Sequence, residues 1–352
     1  VRTVLVVPHG GAPSGGGVYD RRLREALAGL GRPVREEAVP GAWPVADPAA
    51  RAGLSRVLEG VPDGAAVLLD GLVACGVPEV LLPHAPRLRL VVLVHLPLAD
   101  ETGLPEARAA ALDSRERAVL RAASALVATS RWAARRVSDH HGVEGVHVVE
   151  PGADPAPLSP AGDGTRLLCV ASVTPRKGHD VLVSALAALA DLPWGCACVG
   201  PVPSGDAGAH AARLRGLVRE HGLADRVAFT GPLTGADLEA AYTACDLLVL
   251  PSRGETYGMV VTEALARGVP VAATSVGGVP QALGSAPDGS RPGLLVPPGD
   301  PGALAAALRR WLTDPGLRAR LGRSARARRE GLAGWEETAR RMAAVLDGEA
   351  AP

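Results

Sequence analysis

The chain has 352 residues, 47% of them hydrophobic and 21% charged, enough apolar sequence for two domains of roughly 150 residues, each with its own core. Its 37 basic and 37 acidic side chains cancel, which excludes a polyanion binder driven by whole-chain charge and predicts no nucleic-acid partner. Aromatic residues are 3% of the chain, so Leu, Val and Ala must fill the cores.

Val4–Pro8 is a short apolar run, read as a buried strand. A glycine-rich loop, His9 to Gly17, follows, and then a helix predicted over Tyr19–Leu30. Strand, glycine loop and helix form the opening unit of a Rossmann-like half. The loop does not meet G-x-G-x-x-G, so no dinucleotide site is expected, but its glycines let a ligand approach backbone amides. The half continues with a helix over Ala49–Glu59 and strands over Val67–Asp70 and Leu88–His95. His95 therefore sits at the carboxyl end of a strand, where open α/β sheets gather ligands. A helix over Pro105–Ala122, a strand over Ala125–Ala128, a helix over Ser130–His140 capped by Ser130, and His147–Glu150 complete it.

Pro151–Gly164 holds four prolines and three glycines, the composition of a linker between domains. The second half opens on a strand, Arg166–Ala171, then Ser172 to Gly178, then a helix over His179–Leu192. Lys177 is the single lysine among the 37 basic residues. Arg replaces Lys freely on a solvated surface but not where a compact ammonium is needed. On a strand-to-helix loop that ammonium can neutralise a diphosphate that leaves with growing charge. Alternation continues with strands at Cys196–Val199, Arg226–Thr230 and Asp246–Leu250, and helices at Asp206–His221 and Gly235–Ala244.

The richest stretch is Pro251 to Gly278, PSRGETYGMVVTEALARGVPVAATSVGG. Glu255 lies in a glycine-containing loop, a helix is predicted over Met259–Ala266, and Glu263 follows Glu255 by eight residues before a strand at Val269–Ala273. Amides at a helix N-terminus attract anions. Carboxylates on either side of them can hold a polyhydroxyl ligand, an arrangement suited to a nucleotide-sugar. Gly293–Val296 is a further strand, and Pro301–Asp314 and Pro315–Arg329 are helices begun by proline. Trp335, Ala339, Met342, Val345 and Leu346 share one face of a last helix. The ten Arg and four acidic residues of 309–341 read as a solvated helical face.

The five cysteines fall mostly in apolar runs without C-x-x-C or histidine-rich metal spacing, and Cys196 and Cys198 point to one face of a strand as buried thiols. That usage, with no signal-peptide pattern and no run of about 18 apolar residues, predicts a cytoplasmic chain without a transmembrane segment.

PS-x-x-E-x-x-G, E-A-L-A-x-G-V-P-V-A and V-G-G-x-P resemble the donor site of the family-four retaining glycosyltransferases, whose paired glutamates have the E-x7-E spacing of Glu255 and Glu263. The early S-G-G, A-L-V-A-T-S, V-V-E-P-G-A-D and the late G-L-L-V-P-P-G-D segments are similar to the family's as well. The resemblance implies the α/β GT-B fold: two Rossmann-like domains facing each other across a cleft, with a C-terminal helix crossing back to the first. The corresponding division is residues 1–155 plus the helix 334–352, which would bind acceptor, and 156–333, which would bind the nucleotide-sugar. It further implies that Glu255 contacts the donor sugar with the backbone of Tyr257, Gly258 and Met259, that Glu263 accepts hydrogen bonds from the ribose, and that Lys177 neutralises the diphosphate. His95 would approach the sugar, and Gly16 and Gly17 the donor phosphate and acceptor.

The chain departs from the family's pattern in three places. Ala171-Ser172 stands where the family has Gly-Arg, so Arg176 becomes the substitute cation; Tyr257 replaces the commoner Phe, and Glu150 an Asn. No D-x-D occurs, which predicts metal-independent chemistry without a cofactor. The expected reaction is retaining transfer of a hexosyl-type sugar, from a UDP-sugar before a GDP-sugar, to a hydroxyl of a small or lipid-linked acceptor reached by peripheral membrane contact. A GT-B epimerase or phosphorylase, or a non-catalytic nucleotide-sugar-binding protein, is the alternative.

Overall fold

The structure is a computed structural model that describes residues 3–10, 14–202 and 206–349, without the side chains of 206 and 207. Residues 11–13 of the expected glycine loop and 350–352 of the expected last helix lie outside the described residues. Two units divide the chain, Val1–Gly152 with Ala333–Pro352, and Ala153–Leu332.

The first unit is built on six parallel strands: β1 (Thr3–Pro8), β2 (Arg35–Val39), β3 (Ala66–Asp70), β4 (Arg89–Val94), β5 (Ala125–Ala128) and β6 (Val146–Val148). Their order is β2-β1-β3-β4-β5-β6. β1 pairs with both β2 and β3, Val4 opposite Val67, so the chain reverses its course across the sheet between β1 and β3. The second unit repeats this plan with β7 (Arg166–Val170), β8 (Gly195–Val199), β9 (Val227–Gly231), β10 (Leu247–Leu250), β11 (Val271–Thr274) and β12 (Gly293–Val296), in the order β12-β11-β10-β7-β8-β9. Here the reversal falls between β7 and β10, with Leu167 opposite Leu247 and Leu168 opposite Leu248. Ligands of open parallel sheets bind beyond the carboxyl ends of strands at such reversals.

Strands buried on both faces read as continuous apolar runs. In the second unit Leu167, Cys169, Val249 and Ala272 enter one core, while Leu168, Leu248, Leu250, Val271 and Ala273 enter the other, since successive side chains point to opposite faces. Cys196 and Cys198 share the first of these cores, and all five cysteines are free and buried. β2 has no such signature. Its Arg-Glu-Glu-Ala-Val sequence is charged and largely exposed, as suits an edge strand protected against pairing with other chains.

Three predicted boundaries move for local reasons. The first helix spans Gly15–Gly29, not Tyr19–Leu30, because the Ser14 hydroxyl accepts the Gly17 amide at 3.1 Å and starts the helix ahead of the aromatic residue. The helix that begins at His179 ends at Ala187 and gives way to turns in which the amides of Leu189 and Leu192 bond three residues back, ahead of Pro193. β11 starts at Val271, beyond Pro270, which has no amide hydrogen.

The last helix, Trp335–Asp347, packs within the first unit against Gly15–Gly29, burying Ala339, Met342 and Val345. Thr338 Oγ1 donates to the Glu150 carbonyl at 2.9 Å, Arg89 to the Val345 carbonyl at 2.9 Å, and the Tyr19 and Trp335 rings meet edge to face at 5.6 Å. The proline-rich stretch has no regular structure, yet from Ala153 onward it is strapped to the second unit. The Ser159 amide donates to the Arg267 carbonyl at 2.9 Å, and Arg329 to the Ala156 carbonyl at 2.6 Å. Much of the arginine-rich run is likewise tied down: Arg318 bonds the Trp311 carbonyl, Arg328 that of Leu283, and Arg309 pairs with Asp191. The long guanidinium fork thus reaches helix-end carbonyls, and these cations do more than solvate a face. Among the described residues no helix is long and apolar enough to cross a membrane.

Candidate functional site

β7 and β10 lie side by side, and the loops leaving their carboxyl ends carry Lys177 and Glu255. Lys177 closes the short 3-10 turn Pro175–Lys177, and Gly178 follows with φ of +69°. A Cβ on Gly178 would stand 2.1 Å from the Pro251 carbonyl oxygen, so the two loops touch at a point where only glycine fits. Further bonds fasten them. The Arg253 amide donates to the Arg176 carbonyl at 2.7 Å, the Arg253 guanidinium clasps Asp180 at 2.8 and 2.6 Å, and Arg176 Nη1 donates to the Gly254 carbonyl at 3.1 Å.

Within this frame Lys177 Nζ donates to Glu255 Oε1 at 2.5 Å, and Ser252 Oγ donates to the same oxygen at 2.8 Å. Ser252 is itself fixed through its carbonyl, which accepts from Thr274 Oγ1 at 2.5 Å. Glu255 is only 7% exposed. Burial works against its charge, but the Lys177 ammonium, with Arg176 and the Ser252 hydroxyl, outweighs burial and holds the carboxyl below the usual range. It is a charged, buried carboxylate whose Oε1 accepts both of these bonds.

The loop after β11 closes on the same backbone. The Gly278 amide donates to the Glu255 carbonyl at 3.0 Å, and a Cβ on Gly277, whose φ is +56°, would lie 1.7 Å from that oxygen. Tyr257 is buried in the core beside this loop. Gly258 caps the helix Met259–Ala266 with no side-chain hydrogen bond, which leaves first-turn amides for an anion. Glu263, farther along this helix, has its own support: Tyr242 Oη donates to its Oε2 at 2.6 Å, and Arg267 lies over the Tyr242 ring at 4.5 Å while bonding the Glu263 carbonyl at 2.7 Å. Burial raises the Glu263 pKa, opposed by the Tyr242 hydrogen bond and the Arg267 charge. Tyr242 and Ser252 were not singled out in the sequence. Ser252 stands in the PS-x-x-E string three residues ahead of Glu255, but only the fold shows its hydroxyl on that carboxylate; nothing local marks Tyr242, whose partner Glu263 comes from another element.

The remaining candidates, His95, Gly16 and Gly17, belong to the first unit, where they meet two acids not anticipated. His95 follows β4, Asp70 ends β3 and Asp20 lies in the helix Gly15–Gly29. His95 Nε2 is 2.9 Å from Asp20 Oδ1, and Asp20 Oδ2 is buried without a partner among the described residues. A Cβ on Gly16 would come within 3.1 Å of His95 Cδ2, and the Tyr19 ring stands edge to face with the imidazole at 5.2 Å. Gly16 and Gly17 are thus helical rather than loop residues: Gly16 makes room for the imidazole, and Gly17 supplies the amide for the Ser14 cap.

Burial pushes Asp70 up to about 7, reinforced by Asp20 and opposed by the His95 charge and the Leu72 amide. Burial opposes the imidazolium of His95, yet the Asp20 carboxylate, bonded to it and backed by Asp70, prevails and raises its pKa to about 9. A raised histidine pKa contributes stability that is whole below the ordinary value of 6.5 and is lost as pH climbs through about 9. Asp20→Asn is expected to bring the His95 titration, followed by NMR of the imidazole, well below 9 and to flatten stability between those values. A histidine still titrating near 9 in the variant would dismiss Asp20 as the cause.

Two groups among the described residues place three possible metal ligands together, Asp20–Asp70–His95 and Asp113–His140–His141. In the first, burial raises Asp70 to about 7, so a cation there competes with a proton near neutrality.

Residues 153–328 match the family described as glycosyl transferases, group 1. The chain belongs to that family. A D-inositol 3-phosphate glycosyltransferase of Kineococcus radiotolerans is 37% identical over 248 residues, 64% of this chain and 57% of that protein. One from Salinispora tropica is 36% identical over 273 residues, 70% of this chain and 55% of that protein. This group 1 chain therefore spans little more than half the length of the curated relatives it matches. Among solved structures, sucrose-phosphate synthase from Thermosynechococcus elongatus superposes with a TM-score of 0.79 at 24% identity, covering 98% of each chain. The Anabaena protein Alr3699/HepE in complex with UDP and glucose gives 0.75 at 19%, covering 98% of this chain and 99% of that one. At such identities the likeness speaks for the fold, and that fold is GT-B.

Proposed function

We propose that this chain is a retaining glycosyltransferase that moves a hexosyl-type sugar from a nucleoside-diphosphate donor, UDP before GDP, to an acceptor hydroxyl without a metal cofactor. The observation that carries this reading is the cluster of half-buried Lys177 on buried Glu255 and Ser252 where the second sheet reverses, close in sequence to a helix N-terminus with no side-chain cap. A half-buried ammonium and first-turn amides are what a departing diphosphate requires, because they stabilise charge as it develops. In the donor complex Lys177 turns toward the diphosphate, Arg176 adds its charge, and Glu255 is released to accept from sugar hydroxyls. The backbone of Tyr257, Gly258 and Met259 lines the phosphate and sugar. Glu263, oriented by Tyr242, receives the ribose hydroxyls. In the first unit His95 is a further catalytic group, with Gly16 and Gly17 as donor-side backbone.

Retention follows if the leaving phosphate, on the same face as the attack, helps remove the proton of the acceptor hydroxyl. The two curated relatives are named for D-inositol 3-phosphate, which makes that compound the first acceptor to assay; a lipid-linked acceptor met by peripheral contact is the next. All five cysteines are free and buried, as the proposed cytoplasmic setting accommodates.

Thermal denaturation with UDP, GDP and ADP, each with EDTA, tests the donor side. A ligand at about 100 times its dissociation constant adds roughly 2.7 kcal/mol. Stabilisation by UDP above the others, followed by UDP release from a UDP-hexose only when acceptor is present, is expected. Donor consumption without acceptor would favour an epimerase or hydrolase, dependence on orthophosphate a phosphorylase, and no response to any diphosphate would overturn the proposal.

A further inference from the structure

The helix Arg131–His141 ends with two histidines that face Asp113 of the helix Glu106–Ala122. One possible ligand atom from each of Asp113, His140 and His141 lies within 4.8 Å of the other two. Side chains of consecutive helical residues diverge by about 100° around the axis. The two rings nevertheless stand edge to face with centroids 4.6 Å apart, at the last turn before Gly142 ends the helix with φ of +63°.

The neighbours leave little freedom. Arg117 donates to Asp113 Oδ2 at 3.2 Å, which leaves Oδ1 to His140 Nε2. Arg117 and Arg121 also donate to the His140 and His141 carbonyls, each at 3.4 Å. The His141 side chain is 0% exposed, and its Nε2 lies 3.2 Å from Oε2 of Glu116, a carboxylate 1% exposed that also accepts the Leu98 amide at 3.1 Å. With Nε2 protonated and donating to Glu116, His141 Nδ1 carries a lone pair, and it is buried without a hydrogen-bond partner among the described residues. Such an orphaned acceptor is costly, having lost its water without gaining a partner. The pairing of Asp113 with His140 does nothing to relieve it.

We propose that Asp113, His140 and His141 bind a divalent transition cation of the zinc type, through Oδ1, Nε2 and Nδ1, with Glu116 orienting His141 from behind. Two imidazoles and a carboxylate are a zinc donor set, and a carboxylate on the far nitrogen of a ligating histidine fixes its tautomer. Bonds of roughly 2.0–2.2 Å bring tetrahedral ligand atoms to about 3.3–3.6 Å from one another, so the ion would draw together atoms that now lie within 4.8 Å. His140, 32% exposed, opens the site to solvent, so water completes the coordination. The ion ties together two helices of the first unit.

The test titrates the chelator-treated whole chain with ZnCl2 by calorimetry and with CoCl2 by visible absorption. One equivalent of zinc, and cobalt bands of a low-coordinate nitrogen and oxygen site that zinc abolishes, are expected. Glu116→Gln should keep the stoichiometry and weaken zinc by roughly 10–100-fold. His140→Ala and Asp113→Asn should weaken it more, with the metal-free circular dichroism spectrum of the wild type retained. Absence of stoichiometric binding, or an affinity that neither His140→Ala nor Asp113→Asn lowers, would overturn the proposal.

Discussion

Lys177→Ala is expected to lower the proposed transfer rate by about 10²–10³-fold, the effect of removing one preorganised group that meets developing negative charge. It should also weaken the fold, by a separable route. Glu255 is 7% exposed and Lys177 is its bonded cation, so the variant leaves a buried carboxylate without its counter-ion. Breaking one side of such a pair costs about 3–5 kcal/mol. Lys177→Met combined with Glu255→Gln removes both charges and is expected to recover most of that stability while remaining inactive. Urea denaturation of the single and double variants, beside steady-state UDP release, separates the two effects. A single variant that turns over like the wild type would sink the assignment of Lys177. A double variant no more stable than Lys177→Ala would show that the pair's buried charge is not what the fold depends on.

Gly277→Ala should be the more damaging change to the fold, although it touches no ionisable group. The added Cβ would lie 1.7 Å from the Glu255 carbonyl oxygen, and that oxygen is held in place by the Gly278 amide at 3.0 Å. Neither loop can yield without shifting the carboxylate. A loss above 4–5 kcal/mol belongs to such backbone overlaps. Gly222→Ala is the control, because Gly222 has φ of +67° with nothing within 4 Å of its Cβ, so only the left-handed backbone penalty of about 1–2 kcal/mol remains. Equal losses in the two variants would mean that overlap with Glu255 is not the constraint. If Gly277→Ala folds at all, UDP should no longer stabilise it.

The parts of the molecule that follow local rules were legible in the sequence. Val4–Pro8 and Ala125–Ala128 are continuous apolar runs, Ser130 caps its helix by accepting the Ala133 amide at 3.0 Å, and Met259–Ala266 is helical as its pattern implies. Lys177 and Glu255 were each found as candidates, but their ion pair was not. It exists because β7 and β10 are neighbours, a matter of strand order rather than spacing. The same reason hid Asp20 and Asp70 behind His95. Each acid looks like an ordinary helix or strand-end residue until β1, β3 and β4 are set side by side. β2 escaped because charged residues serve an edge strand well. The Asp113–His140–His141 group matched no metal spacing, since its ligands converge from two helices and its decisive feature, a buried nitrogen without a partner, is invisible in a sequence.

The isolation of Lys177 gives the donor cluster an unusual experimental handle. It is the single lysine of the chain, so reductive methylation with isotopically labelled formaldehyde would place one side-chain reporter, beside the α-amine, on the atom that faces Glu255. A tertiary amine keeps its charge and one donor hydrogen, so the label leaves the ion pair chemically possible. Its NMR signal would then register the exchange of a carboxylate partner for a diphosphate directly, ligand by ligand. The same arithmetic makes amine-directed surface immobilisation a poor choice for this protein, because the side chain it would consume is the one that donors are expected to meet.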